Sequence, residues 1–123
     1  MMNDFFYKKL DAYKIAKEFT IHVYSLTRKF PSFEQYAICD QIRRAAVSVP
    51  SNIVEGMGRT AIRERIHFIN ISYGSLVEVM CQLDISHSLG YIDDDDIASL
   101  EEIADRLARV MSGLKKSLEN KLA

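Results

Sequence analysis

Residues 62–89 read IRERIHFINISYGSLVEVMCQLDISHSL. Within them Ile62, Ile66, Ile69, Tyr73, Leu76, Met80, Leu83 and His87 recur at alternating intervals of four and three, which holds them on one stripe of an α-helix and makes a coiled-coil-like seam. Phe68 and Ile71 widen the apolar face beyond a two-helix seam, as a bundle or an oligomer contact requires. Leu89-Gly90-Tyr91 ends the segment.

The same rhythm appears on both sides. Downstream, Ile97, Leu100, Ala104, Leu107, Met111, Leu114 and Leu118 form another stripe, and the run Asp93–Asp96 marks its start. Carboxylates in a first turn favour the helix dipole, and one of them can cap free backbone amides. Upstream, Ile38, Ile42, Ala45, Val49 and Ile53 predict a helix from about Glu34 to Glu55, ended by Gly56 and Gly58. Pro50 lies inside it and predicts a kink or short break near Ala46–Pro50, because proline removes one helical hydrogen bond and clashes with the preceding turn. Ala12, Ala16, Phe19, Val23, Leu26 and Phe30 predict a first helix over about Tyr7–Lys29, stopped at Phe30-Pro31-Ser32. Four amphipathic segments joined by short turns predict an all-α, up-down-up-down four-helix bundle forming a single domain over residues 1–123.

The composition agrees with a globular chain: 123 residues, 48% apolar and 27% charged. No uncharged stretch approaches the roughly 20 residues needed to span a bilayer. The N-terminus, with Asp4, Lys8, Lys9 and Asp11 around its aromatics, does not resemble a secretory signal, so a cytoplasmic location is expected. Cys39 and Cys81 lack metal or redox spacing and read as buried packing residues. The net charge of -1 argues against a general polyanion binder. Its distribution is uneven, however. Arg43–His67 carries five arginines against two glutamates, whereas Asp93–Arg106 carries one arginine against seven carboxylates.

Catalytic and metal chemistry find little support. Glu64-Arg-Ile-His67 matches one Glu-x-x-His motif of a di-metal bundle, but Asp84-Ile-Ser-His87 lies on the same helix, about 30 Å farther along. Glu18 and His22 do not complete the set. Neither a nucleophile elbow nor a P-loop is present, since Gly56-Met-Gly58 follows a helix and lacks the following Lys-Ser/Thr. No enzyme activity and no cofactor is expected. One polar stripe stands out on the second helix, formed by Gln41, Arg44, Ser48, Asn52 and Glu55. It reads either as solvated surface or as a hydrogen-bonded network in which Glu78 pairs with Arg43 or Arg44.

These residues also carry a resemblance. Leu26-Thr27, Phe30-Pro31, Tyr36, Gln41-Ile42-Arg43-Arg44-Ala45-Ala46, Ser48-Val49-Pro50-Ser51-Asn52-Ile53, Glu55-Gly56 and Gly58-Arg59 resemble the bacterial four-helix-bundle family of 23S rRNA intervening-sequence proteins. Gly74-Ser75-Leu76, Glu78, Leu83 and Leu89-Gly90-Tyr91 continue the match. Members are labelled ribosomal proteins because some are encoded within insertions in rRNA genes. The family is similar to the accessory variability protein of diversity-generating retroelements, a barrel-like homopentamer that binds nucleic acid through basic surfaces and contacts a reverse transcriptase. The resemblance implies a non-enzymatic homo-oligomer, a pentamer, associated with RNA or DNA. Arg43, Arg44, Arg59, Arg63 and Arg65 are the expected phosphate-binding residues. The alternative is a scaffold whose arginines meet an acidic protein, for instance the Asp93–Asp105 region of a neighbouring subunit.

Overall fold

A computed structural model describes residues 5–122 of the chain. The ends of the single unit expected over 1–123, Asp4 among them, lie outside the described residues. Among the described residues there are four α-helices: α1 (Asp11–Thr27), α2 (Ile38–Met57), α3 (Ile62–Ser88) and α4 (Asp94–Asn120). Short 3-10 turns precede the first two, at Phe6–Lys9 and Ser32–Glu34. Each helix packs on its neighbours in ring order, α2 on α3 most extensively, with α4 returning to α1. The result is an up-down-up-down four-helix bundle.

The first two helices start later than their apolar periodicity suggests. Leu10 is extended and separates the Phe6–Lys9 turn from α1, while Ala37 takes a non-helical conformation immediately before α2. Aromatic packing explains why residues before α1 hold structure without continuing the helix: Tyr7 sets its ring edge against Tyr13, with centroids 4.9 Å apart. Gln35 holds the connection before α2 by donating from Nε2 to the carbonyls of Thr27, at 3.0 Å, and Phe30, at 3.2 Å.

Three of the four stripes form the core as read. Ala12, Ala16, Phe19, Val23 and Leu26 are buried on α1; Ile42, Ala45, Val49 and Ile53 on α2; and Leu100, Ala104, Leu107, Met111 and Leu118 on α4. On α3 Ile69, Leu76 and Leu83 are buried as read, but the buried positions between and after them are Ser72, Val79 and Ser86 rather than Tyr73, Met80 and His87, and Tyr73 is 50% exposed. The seam is rotated because α2 and α3 approach too closely for large side chains. A Cβ added to Gly56 would lie 2.7 Å from the Phe68 Cβ, and the fully buried Ser72 donates through Oγ to the Val49 carbonyl at 2.6 Å. Small polar residues therefore occupy positions where hydrophobicity alone favours their neighbours.

α2 passes through Pro50 without a break. Pro50 cannot donate to the Ala46 carbonyl four residues earlier. The hydroxyl of Thr20, on α1, lies 3.1 Å from that oxygen and 2.8 Å from the Ala16 oxygen. Ala16 already receives the amide of its own helix, so the Ala46 carbonyl is the one that needs this donor. Thr20→Val is expected to cost about 1 kcal/mol, and the cost should disappear in a Pro50→Ala background, where the helical amide returns. A urea-melt double-mutant cycle checks this. Equal costs in both backgrounds would show that the hydroxyl does not replace the missing amide.

Capping fixes the remaining boundaries. Asp93 accepts from the Asp96 amide at 2.8 Å, and Asp96 accepts from the Asp93 amide at 3.3 Å, a reciprocal capping box. Burial pushes the Asp96 carboxyl up, but the Asp93 backbone amide and the Lys29 ammonium, 3.2 Å away, together hold it below the ordinary carboxylate range. Past α3, Gly90 adopts φ +82°, and the Tyr91 and Gly90 amides bond the carbonyls of Ser86 and His87, each at 3.0 Å. That is a Schellman motif, which requires the left-handed conformation glycine accepts most readily. Tyr91 then packs on Phe30, with centroids 5.3 Å apart, and donates its hydroxyl to Glu34 at 2.7 Å, tying the α3–α4 turn to the α1–α2 connection.

Candidate nucleic-acid interface

The arginines read from the sequence fall into two separate groups. Arg43 and Arg44 lie near the start of α2, while Arg59, Arg63 and Arg65 surround the turn from α2 into α3. At 1.5 Å per residue, Arg44 and the end of α2 are about 20 Å apart along the axis.

Arg43 is a clamp within the fold. Its Nε donates to the Thr27 hydroxyl at 3.0 Å, a terminal nitrogen donates to Gln35 Oε1 at 2.7 Å, and the guanidinium lies 5.8 Å from the centroid of the Tyr24 ring. Arg44 is exposed and pairs with Asp40 at 3.2 Å, one turn earlier on α2. Neither makes the expected pair with Glu78. Glu78 instead lies 3.5 Å from the amide of Gln82, which also reaches Gln41 at 3.5 Å.

The polar stripe of α2 is thereby divided. Ser48 and Asn52 face α3, with the Ser48 hydroxyl 2.8 Å from that of Ser75 and the Asn52 amide donating to both the carbonyl and hydroxyl of Ser48 at 2.8 Å. Gln41, Arg44 and Glu55 are exposed. The stripe is thus partly a network between helices and partly solvated surface.

The second arginine group forms a corner. Arg59 is bracketed by Glu55 from α2 and Glu64 from α3, the latter at 3.6 Å, and its guanidinium lies 4.9 Å from the centroid of the Phe68 ring. Arg65 donates through Nε to the Arg59 carbonyl at 2.6 Å, closing the turn. Arg63 is exposed and has no ion-pair partner among the described residues.

Helix direction adds what a local window cannot show. Because the helices alternate in direction, the α2–α3 corner shares its end of the bundle with the start of α1 and the end of α4. Lys14 and Lys17 therefore join Arg59, Arg63 and Arg65, as do Lys115, Lys116 and Lys121, outnumbering Asp11, Glu55, Glu64 and Glu119 there, while Arg109 lies midway along α4. The opposite end gathers Glu34, Asp40, Asp84, Asp93–Asp96, Glu101 and Glu102, more carboxylates than its cations Arg28, Lys29, Arg43 and Arg44. A chain of net charge -1 is thus strongly polarised along its length. The lysines were missed because they lie far from the arginines in sequence and are brought near them only by the antiparallel packing.

Three of the side chains that could serve as metal ligands have other partners. His87 Nε2 lies 2.7 Å from Asp94, Glu18 pairs with Arg106 at 2.8 Å, and Glu64 faces Arg59. No group of three His, Cys, Asp or Glu side chains converges among the described residues. Cys39 is buried as expected, but Cys81 is exposed on the outer side of α3. Burial raises the Cys39 thiol pKa, outweighing the neighbouring Arg43 charge that lowers it. No helix among the described residues is long and apolar enough to cross a membrane.

Residues 8–113 match the family model described as 23S rRNA-intervening sequence protein. The chain belongs to this family. In this intervening-sequence protein the match includes the α2–α3 corner, the Ser48–Asn52 network, Pro50 and the Schellman turn at Gly90. It ends before Lys115 and Lys116 in the last part of α4. No curated protein sequence matches the chain significantly.

Proposed function

We propose that this intervening-sequence protein is a non-enzymatic, homo-oligomeric accessory protein, a single bundle domain that associates with RNA or DNA through the basic end of the bundle. The observation that carries the reading is the separation of charge along the axis, with Arg59, Arg63, Arg65 and the α1 and α4 lysines at one end and the acidic run at the other. Such a molecule meets a polyanion end-on. Guanidinium and ammonium groups pair with phosphates, releasing counterions without reading bases.

Oligomerisation is supported by the outer side of α3. Between Arg65 and Asp84 its only charge is Glu78, and Ile71 and Ile85, which share a face turned away from the α4 groove, are 38% and 48% exposed. A helical face with so little charge suits a protein contact, here between subunits of a ring, five by the resemblance noted above. A ring repeats the basic end, so modest patches engage one polyanion at high effective concentration. The second reading is an acidic protein in place of nucleic acid; Arg59, held between Glu55 and Glu64, is partly neutralised toward either partner.

Light scattering should give a mass several times that of one chain. Binding to structured RNA and DNA should fall steeply between low and moderate salt. Combined Arg59→Ala, Arg63→Ala and Arg65→Ala should weaken binding by about tenfold or more and flatten the salt dependence by up to three contacts. Arg63→Ala alone provides a variant without loss of an internal partner. Undetectable wild-type binding at low salt would sink the nucleic-acid reading, and a protein pulled down after nuclease treatment would favour the acidic partner.

A further inference from the structure

The groove between α3 and α4 was not marked by any motif, yet its two halves differ in charge. One half, of about 420 Å³, has a floor containing the buried Ile69 and Met111, with Asn70, Tyr73, Arg109 and Lys115 around it. The adjoining half shares Tyr73 and Ala108 with it but is bordered by Asp84 and Asp105. Apolar floor therefore continues along the groove while the charge of its border changes sign near Tyr73. The Tyr73 ring is half exposed, and Arg109 and Lys115 have no ion-pair partners among the described residues.

An apolar surface, an accessible aromatic ring and two uncommitted cations match the chemistry of a nucleotide in a single strand. Its base has a face to stack on an aromatic ring, and its phosphate pairs with a cation. A duplex hides its base faces and supplies only phosphates and groove edges. An acidic protein would use the cations but leave the aromatic floor without a matching group.

We propose that the basic half of the α3–α4 groove binds an unpaired nucleotide of single-stranded nucleic acid, the base lying on Tyr73 and the adjoining phosphates meeting Arg109 and Lys115. Asn70 supplies an amide that can donate to or accept from a base edge. Asp84 and Asp105 repel the backbone and confine the strand to this half, so it runs toward the basic end of the bundle. The site rests on the nucleic-acid reading above but uses residues distinct from the arginine corner.

The test compares full-length wild type, Tyr73→Ala, Tyr73→Phe and Arg109→Ala in binding to labelled ten-nucleotide single strands, RNA and DNA, the corresponding duplexes, and free AMP. Tyr73→Ala should weaken single-strand binding roughly tenfold while leaving duplex binding unchanged, and Tyr73→Phe should retain it. Arg109→Ala should weaken both and reduce the salt dependence by about one phosphate contact. A 2-aminopurine in the strand should be quenched by wild type and less so by Tyr73→Ala. Unchanged single-strand affinity in Tyr73→Ala overturns the site, even if the arginine-corner variants still show nucleic-acid binding. A change in assembly mass in Tyr73→Ala overturns it in favour of a subunit contact, and free AMP binding as tightly as the strand overturns it in favour of a mononucleotide. Absence of binding to every nucleic acid overturns this site together with the broader reading.

Discussion

Phe19→Ala is expected to lower the stability of the bundle by about 4 kcal/mol. Phe19 is 0% exposed on α1 and is among the largest fully buried side chains. Truncation removes its transfer free energy and leaves a cavity that helices fixed by packing on both sides only partly fill. Against a total stability of roughly 5–15 kcal/mol for a domain, such a loss shifts the urea midpoint downward by about 2 M with the slope unchanged. A loss below about 1 kcal/mol would mean that the surrounding side chains collapse into the space.

Gly56→Ala is expected to cost about 1 kcal/mol net although alanine is the better helix former. The new methyl would stand 2.7 Å from the Phe68 Cβ and 3.1 Å from the Arg65 carbonyl oxygen. Neither atom can rotate away, so relief requires α2 and α3 to separate. Overpacking of that kind costs roughly 1–3 kcal/mol, which opposes the roughly 1 kcal/mol gained from helix propensity. Separation would also stretch the Ser72–Val49 hydrogen bond and disturb Arg59 on the Phe68 ring, so thermal stability and salt-dependent nucleic-acid binding should fall together. Equal or greater stability than wild type would show that the helix contact has room to open at little cost.

The stripes of α1, α2 and α4 were legible because each faces the core with large apolar residues at helical spacing. The α3 stripe kept Ile69, Leu76 and Leu83 but shifted by one position between them: Tyr73 looks more suited to a core than Ser72, yet the nearness of α2 requires the smaller side chain and gives its hydroxyl a carbonyl to bond. Pro50 signalled a defect in α2 but could not show that Thr20, thirty positions earlier, supplies a donor beside it. At the candidate interface, Arg59, Arg63 and Arg65 were visible as a local cluster. The internal engagement of Arg43 depends on Thr27 and Gln35, which carry no charge to mark them as partners.

By itself the sequence determined four helices, most of their core faces, the capping of α4 and the glycine stop after α3, because periodicity and terminal hydrogen bonding act over one to a few turns. Only the tertiary structure decided which charges share an end, which serines bridge α2 and α3, and where Tyr73 meets Arg109 and Lys115 across a groove. Those relations depend on helix direction and separation, and they join residues that no local pattern relates.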